Sequence, residues 1–130
     1  MSIKKIFSIE YDFHASPQLL FQYISTPSGL SEWFADNVNS RGESFTFIWD
    51  DSEEIALLLQ KKNNDKVKFQ WQNDKDEDEE YYFEFKIQVD EITKDVSLII
   101  TDFAEEDELE ESKMLWDNLG SDLKQVLGAS

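Results

Sequence analysis

The sequence contains no cysteine, and it has little proline, glycine, histidine or arginine. Its 130 residues include two Pro, four Gly, one His and one Arg. Without cysteine the chain can form no disulfide bond, thiolate metal site or cysteine nucleophile. A single histidine cannot build a histidine metal cluster. We therefore expect no metal site, no cofactor and no catalytic residue of these kinds.

Long hydrophobic runs are also missing. No stretch approaches the roughly 18 consecutive apolar residues that a membrane helix needs. Near the N-terminus, Ser8, Glu10 and Asp12 interrupt the apolar residues, so the segment does not have the pattern of a signal peptide. These features predict a cytoplasmic protein without membrane insertion.

Positive charge is scarce, because 29 acidic residues face 12 basic ones and the formal net charge is −17. Binding to nucleic acid or to an anionic membrane surface is disfavoured, since both need clustered Lys and Arg. Aromatic residues make up 14% of the chain, which argues against disorder. No linker or repeat divides the sequence, and we expect one domain over residues 1–130.

The first part of the chain predicts a strand followed by two short helices. Ser16-Pro17 and Thr26-Pro27 each place a capping residue before a proline at the first helical position. The apolar residues of the strand alternate with polar ones, and Leu30, Trp33 and Phe34 are expected on the apolar side of the second helix. The predicted inward face of the strand consists of Ile3, Lys5, Phe7, Ile9, Tyr11 and Phe13.

From Arg41 onward the hydrophobic period returns to two, and short turns separate the runs. This pattern predicts an antiparallel meander. Its apolar positions are Phe45, Phe47 and Trp49, then Ile55, Leu57 and Leu59, then Val67, Phe69 and Trp71, then Tyr81, Phe83, Phe85, Ile87 and Val89, and finally Val96, Leu98 and Ile100.

The last segment predicts a long helix, with Asp107 as its cap and Glu110 completing a capping box. A helix of about 20 residues spans about 30 Å and can cover a whole sheet. The predicted fold is therefore α+β, with a curved antiparallel sheet wrapped around a long C-terminal helix. The apolar stripe of this helix consists of Leu109, Trp116, Leu119, Leu123 and Val126.

A family resemblance is carried by segments 16–24, 30–34, 42–49, 67–71 and 98–103, together with the terminal helix. These segments resemble the START-like superfamily, also called SRPBCC or Bet v 1-like, which has the helix-grip fold. They are most similar to the branch typified by activators of a heat-shock chaperone ATPase. Members of the superfamily bind lipids, hormones or polyketides, act as cyclases, or serve as co-chaperones, and the resemblance alone does not choose among these roles.

Half of the 18 aromatic residues lie in the predicted strand region. They either fill the core between sheet and helix or, as the resemblance implies, line a cavity for an apolar ligand. The predicted lining consists of Phe34, Phe47, Trp49, Phe69, Trp71, Phe83, Phe85, Trp116 and Leu123.

Two single residues have alternative interpretations. His14 follows the first strand and is interpreted as a turn or surface residue, with proton transfer as the alternative. Arg41 precedes Gly42 and either pairs with an acidic neighbour or meets an anionic ligand head, because a guanidinium grips a carboxylate with two hydrogen bonds.

Two acidic runs hold twelve of the 29 acidic residues. The first, 74–80, begins like a calcium loop but has Glu79 where that loop needs Gly. It is interpreted as a solvated hairpin turn, with weak cation binding as the alternative. The second, 105–111, either complements the helix dipole or forms a docking surface for a basic protein partner.

The sequence therefore supports three hypotheses about function. The first is non-enzymatic binding of a small hydrophobic ligand, lipid or polyketide-like, between the sheet and the terminal helix. The second is a co-chaperone-like or acidic protein-interaction module, and the third is a cyclase-like enzyme. The oligomeric state, monomer or homodimer, stays open.

Overall fold

The computed structural model describes residues 3–128. Met1, Ser2, Ala129 and Ser130, which the single-domain prediction also includes, lie outside the described residues. The elements are β1 (Lys4–Phe13), α1 (Pro17–Ser25), α2 (Pro27–Leu30), β2 (Asn37–Arg41), β3 (Ser44–Trp49), β4 (Ser52–Lys62), β5 (Lys66–Trp71), α3 (Gln72–Asp76), β6 (Phe83–Val89), β7 (Val96–Glu105), a 3-10 turn (Glu106–Glu108) and α4 (Leu109–Val126).

Within residues 3–128, seven strands form one antiparallel sheet in the order β1-β7-β6-β5-β4-β3-β2. The strands from β2 to β7 form a meander, and β1 joins it beside β7, with Phe7 opposite Asp102. The sheet is curved and the long helix α4 lies at the C-terminus. The predicted α+β fold and helix-grip arrangement are therefore confirmed.

The two short helices begin where their capping residues predict. Ser16 Oγ accepts a hydrogen bond from the Leu19 N–H at 3.1 Å, and Thr26 Oγ1 accepts one from the Gly29 N–H at 3.0 Å. However, α2 ends at Leu30. Trp33 and Phe34 therefore lie in the turns that follow α2 and not on its apolar side, although both are buried.

Strand β2 is not predicted by the sequence pattern. Only Val38 among its five residues is buried, and the other four are exposed. An edge strand with a single buried side chain has no hydrophobic alternation, so its sequence looks like a loop.

The predicted inward face of β4 is wrong. Ile55 and Leu59 are exposed, whereas Ala56 is fully buried. The pairing with β3 sets the register and places Glu54 opposite Phe47, which turns the even-numbered residues at this end inward. The apolar alternation of β4 therefore marks its outer face, and a shift in register near Leu58 interrupts the strand further along.

Two predictions about the acidic runs are also corrected. The connection between β5 and β6 is not a simple hairpin turn, because it contains the short helix α3, and β6 begins at Phe83 and not at Tyr81. The capping box at Asp107 is absent, because this residue lies inside the 3-10 turn. The residue at the cap position of α4 is Glu108, whose side chain makes no capping hydrogen bond.

The core lies between the inward face of the sheet and the helices. Aromatic residues of β3, β5 and β6 fill its centre, and Leu123 of α4 packs fully buried on the same side. The fully buried rings of the strands are Phe47, Phe69 and Phe85, with Phe83 only 1% exposed.

Candidate ligand pocket

A pocket of about 360 Å³ opens between the sheet and the first half of α4. It lies where β3, β5 and β7 end and where β4, β6 and α4 begin. This volume is within the range of roughly 300–1,000 Å³ that is typical of small-molecule sites. Its lining residues are Phe34, Trp49, Ser52, Glu54, Trp71, Phe83, Asp102, Ser112, Leu115, Trp116 and Leu119.

Five of the ten residues predicted from the sequence as ligand-binding lie in this lining: Phe34, Trp49, Trp71, Phe83 and Trp116. Four others are fully buried and fill the core: Phe47, Phe69, Phe85 and Leu123. The tenth, Arg41, is exposed at the end of β2 and is not among the lining residues. The ligand-binding role of all ten stays a prediction.

Phe34 lies at the base of the pocket, where the turn after α2 inserts it between sheet and helix. Its ring stacks on Trp116 of α4 with centroids 5.8 Å apart, and it meets Phe47 edge-on at 5.1 Å. It also stacks on Phe83 of β6 at 5.8 Å. Phe34 thus links α4 to two strands through ring contacts, each of which contributes about 0.5–1.5 kcal/mol beyond its buried area.

The last residues of β3 and β5, Trp49 and Trp71, form an aromatic wall. Trp49 is fixed by the hydrogen bond from its Nε1 to the carbonyl oxygen of Phe34 at 3.1 Å. Trp71 lies against Phe83, with ring centroids 4.9 Å apart. Both tryptophans are only half-buried, so part of their apolar surface faces the pocket and solvent.

Asp102 is the most enclosed carboxylate of the lining. Its Oδ2 accepts a hydrogen bond from Trp116 Nε1 at 3.0 Å, and its Oδ1 accepts one from the Phe103 N–H at 2.7 Å. Burial raises the pKa of Asp102 above its ordinary value, although these two hydrogen bonds and the charge of Lys4 act in the opposite direction. A carboxyl group at this position can anchor a ligand or exchange a proton with it.

The sequence reasoning missed six of the lining residues, and the two charged ones among them are Asp102 and Glu54. Both occupy inward positions of their strands, where Asp102 continues the buried series of Leu98 and Ile100 along β7. The sequence did contain a signal for Asp102, because an acidic residue stands at the next inward position of β7 after the buried Leu98 and Ile100. For Glu54 no such signal existed, because the face of β4 was assigned wrongly.

A second pocket of about 460 Å³ adjoins the first and shares Phe34, Trp49 and Leu119 with it. Its lining is more polar and runs along the second half of α4. The acidic residues of this lining are Glu32, Asp36 and Asp122.

The other sequence candidates lie outside these pockets. His14 is exposed in the bend after β1, in agreement with its interpretation as a surface residue. In the second acidic run, carboxylate oxygens of Glu105, Asp107 and Glu108 come within 4.8 Å of one another. A side-chain hydrogen bond with Glu105, together with the negative charge of that residue, raises the pKa of Glu108.

The fold and the pocket define a helix-grip domain with a cleft between its sheet and its terminal helix. A model of the START-like superfamily domain matches residues 1–129. The chain therefore belongs to the START-like superfamily. Among curated proteins, no sequence gives a significant match.

Solved structures agree with this assignment. The solution structure of BfR322 from Bacteroides fragilis is 35% identical, with a TM-score of 0.67, and the match covers 98% of this chain and 93% of that one. The Aha1 dimer from Colwellia psychrerythraea is 18% identical with a TM-score of 0.79, over 95% and 96% of the two chains. MLL2253 from Mesorhizobium loti is 16% identical with a TM-score of 0.76, over 95% and 97%. At these lower identities the likeness concerns the fold alone.

Among residues 3–128, no helix is long and apolar enough to cross a membrane.

Proposed function

We propose that the protein binds a small, largely apolar ligand, lipid or polyketide-like, in the pocket between the sheet and α4, without transforming it. The observation that carries this proposal is the half-buried aromatic wall of Trp49 and Trp71 around a cavity of about 360 Å³. A ligand in the cavity would cover the apolar surface that these two rings leave exposed. The few polar groups of the lining, such as Asp102, are typical of a site that orients its ligand.

The proposal is tested with a pocket-filling variant and a matched control on the same helix. Ser112 lines the pocket, whereas Ser121 is exposed and lies outside both pocket linings. We expect Ser112→Phe to abolish ligand binding and Ser121→Phe to leave it unchanged.

Lipids and aromatic polyketides are screened by thermal shift and native mass spectrometry. A ligand present at about 100 times its Kd should stabilise the native state by about 2.7 kcal/mol, which raises the Tm by several degrees. The absence of any binder among these compounds, or equal binding by the Ser112→Phe variant, would contradict the proposal.

Asp102 favours a second candidate, an acid–base enzyme of the cyclase-like kind. The carboxyl group is part-buried at the pocket, and burial raises its pKa above the ordinary value, a perturbation that is also found at catalytic carboxyl groups. In that case a bound ligand would be converted by the wild-type protein and recovered unchanged from the Asp102→Asn variant. Recovery of intact ligand from both proteins would argue for binding alone.

The third candidate is a protein-interaction module for a basic partner. It is favoured by the exposed Met114 and Leu115 of α4, which lie beside the acidic residues Glu110 and Glu111. Electrostatic steering would draw a basic partner to this surface. Its signature is a partner whose recovery falls as the salt concentration rises, and no recovery at low salt would remove this candidate.

A further inference from the structure

The charged residues that line the two adjoining pockets all have the same sign. The first pocket contributes Glu54 and Asp102, and the second contributes Glu32, Asp36 and Asp122. Among the described lining residues of both pockets there is no Lys, Arg or His. Among the lining residues of both pockets an anionic ligand head would therefore contact charges of its own sign only, although Lys4 lies near enough to Asp102 to lower its pKa.

The first pocket combines these carboxylates with three indole rings. Trp49 and Trp71 lie with their centroids 6.4 Å apart, and Trp116 lines the opposite, helical side. Tryptophan is the aromatic side chain that attracts cations best, and the attraction grows when the cation leaves water. The aromatic and acidic components of the lining thus favour the same kind of group.

Asp102 keeps hydrogen-bonding capacity for such a group. Each of its oxygens accepts one hydrogen bond from the protein, from Trp116 and from the backbone of Phe103. A carboxylate offers about four acceptor positions, so both oxygens can still accept. Glu54, on the neighbouring wall, is exposed and free to turn toward the pocket opening.

We propose that the ligand of this pocket carries an ammonium group, held between the indole rings and the carboxylates of Glu54 and Asp102, while its apolar part contacts Leu115 and Leu119. This inference rests on the proposed function and narrows it to apolar amines and quaternary ammonium compounds. The charge of the ligand would then contact Glu54 and Asp102. Arg41, the residue expected from the sequence to contact a charged ligand head, lies outside the lining.

Three probes with the same decyl chain test the proposal: decyltrimethylammonium, decanol and decanoate, each below its micelle concentration. Binding is measured by isothermal titration calorimetry. We expect the ammonium probe to bind at least about tenfold more tightly than decanol, because cation–π and charge–charge interactions add to the same apolar contact. Decanoate should bind more weakly than decanol.

The strongly negative net charge could attract any cation, so the variants are matched in charge. Glu54→Gln/Asp102→Asn removes two charges in the pocket, and Asp76→Asn/Glu77→Gln removes two in the exposed acidic run. The pocket variant should lose most of the preference for the ammonium probe, and the control variant should keep it. Glu54→Gln alone alters only an exposed side chain, so a partial loss there does not depend on how Asp102→Asn folds.

The outcomes separate the two proposals. If decanol binds as tightly as the ammonium probe, or if the control variant loses as much preference as the pocket variant, the ammonium site is refuted and apolar binding stands. If none of the three probes binds, the ammonium site is refuted, and the screen of lipids and aromatic polyketides decides separately whether apolar binding stands. If the Ser112→Phe variant still binds the ammonium probe, the cation lies outside this pocket and the inference fails.

Discussion

The hydrogen bond from Trp116 to Asp102 joins α4 to β7, and a double-mutant cycle measures its strength. Trp116 Nε1 donates to Asp102 Oδ2 at 3.0 Å. A hydrogen bond to a charged group contributes about 1.5–3 kcal/mol, whereas one between neutral groups contributes about 0.5–1.5 kcal/mol. We expect Trp116→Phe and Asp102→Ala to be coupled by about 1.5–3 kcal/mol at neutral pH.

The cycle isolates the hydrogen bond from the packing that each substitution also disturbs. Two other changes affect the single and double variants alike and so cancel in the coupling energy. They are the smaller ring of Trp116→Phe and the loss of the hydrogen bond that the Phe103 N–H donates to Asp102. Free energies of unfolding come from urea titrations followed by far-ultraviolet circular dichroism, because the substitution changes tryptophan fluorescence. As the pH falls through the pKa of Asp102, the coupling should decrease to about 1 kcal/mol, the value for a neutral acceptor.

Trp49→Phe is the matched control, because Trp49 Nε1 donates to an uncharged acceptor, the carbonyl oxygen of Phe34. The stability loss caused by this variant should not change over the pH range in which the Trp116–Asp102 coupling decreases. A coupling below about 0.5 kcal/mol at neutral pH, or one that stays constant as the pH falls, would refute the charged hydrogen bond.

Two further predictions concern stability. Burial raises the pKa of the Asp102 carboxyl group in the folded state, so the native protein keeps this proton to a higher pH than the unfolded chain does. The free energy of unfolding therefore decreases as the pH rises from the unfolded pKa of about 3.9 through the folded pKa. Asp102→Asn should therefore gain Tm relative to wild type across this interval in thermal melts, and a wild-type advantage that grows with pH would contradict it. Gly29→Ala should lower the free energy of unfolding by about 2–3 kcal/mol or more in urea titrations, because the new Cβ would overlap the backbone carbonyl of Gln22. Gly42→Ala, which has open space but a φ of +62°, should cost only about 1–2 kcal/mol, and equal losses would count against the steric explanation.

Much of the fold could be predicted because its signals are local. The caps at Ser16 and Thr26 define the starts of α1 and α2, and their hydrogen bonds are present in the structure. The alternation in β3, β5 and β6 places five phenylalanines inward, and the structure buries all of them: Phe45, Phe47, Phe69, Phe83 and Phe85. The residues of each of these elements were therefore sufficient to predict it, without knowledge of its partners in the fold.

The features that were missed depend on partners. The register of β4 against β3 decides which of its residues point inward. The alternating apolar residues Ile55, Leu57 and Leu59 lie on the outer face, so their pattern predicted the wrong inward face. The one buried residue of β2, Val38, becomes part of a strand only because it pairs with Phe47. The capping box failed because a 3-10 turn precedes α4 and moves its start past Asp107.

The same dependence explains why only five of the nine residues of the predicted lining surround the pocket. Along β3 the inward residues Phe45 and Phe47 are buried, whereas Trp49 at the end of the strand is only half-buried. Periodicity assigns all three to one face, but it carries no information about what lies opposite. Opposite Phe45 the neighbouring strand places the fully buried Ala56, and opposite Trp49 it places the exposed Ser52.

The pocket therefore arises from a mismatch at one end of the sheet. There the bulky side chains Trp49 and Trp71 end their strands, while the adjoining positions carry the smaller or polar Ser52, Glu54 and Ser112. Apolar surface left in contact with water costs roughly 25 cal/mol per Å², and a ligand that covers these rings recovers that free energy on binding. Larger apolar residues at positions 52, 54 and 112 would have covered the same rings and recovered this free energy during folding. The polar residues in their place forgo that stability and keep the aromatic wall accessible, which supports the proposal that this end of the sheet binds a ligand.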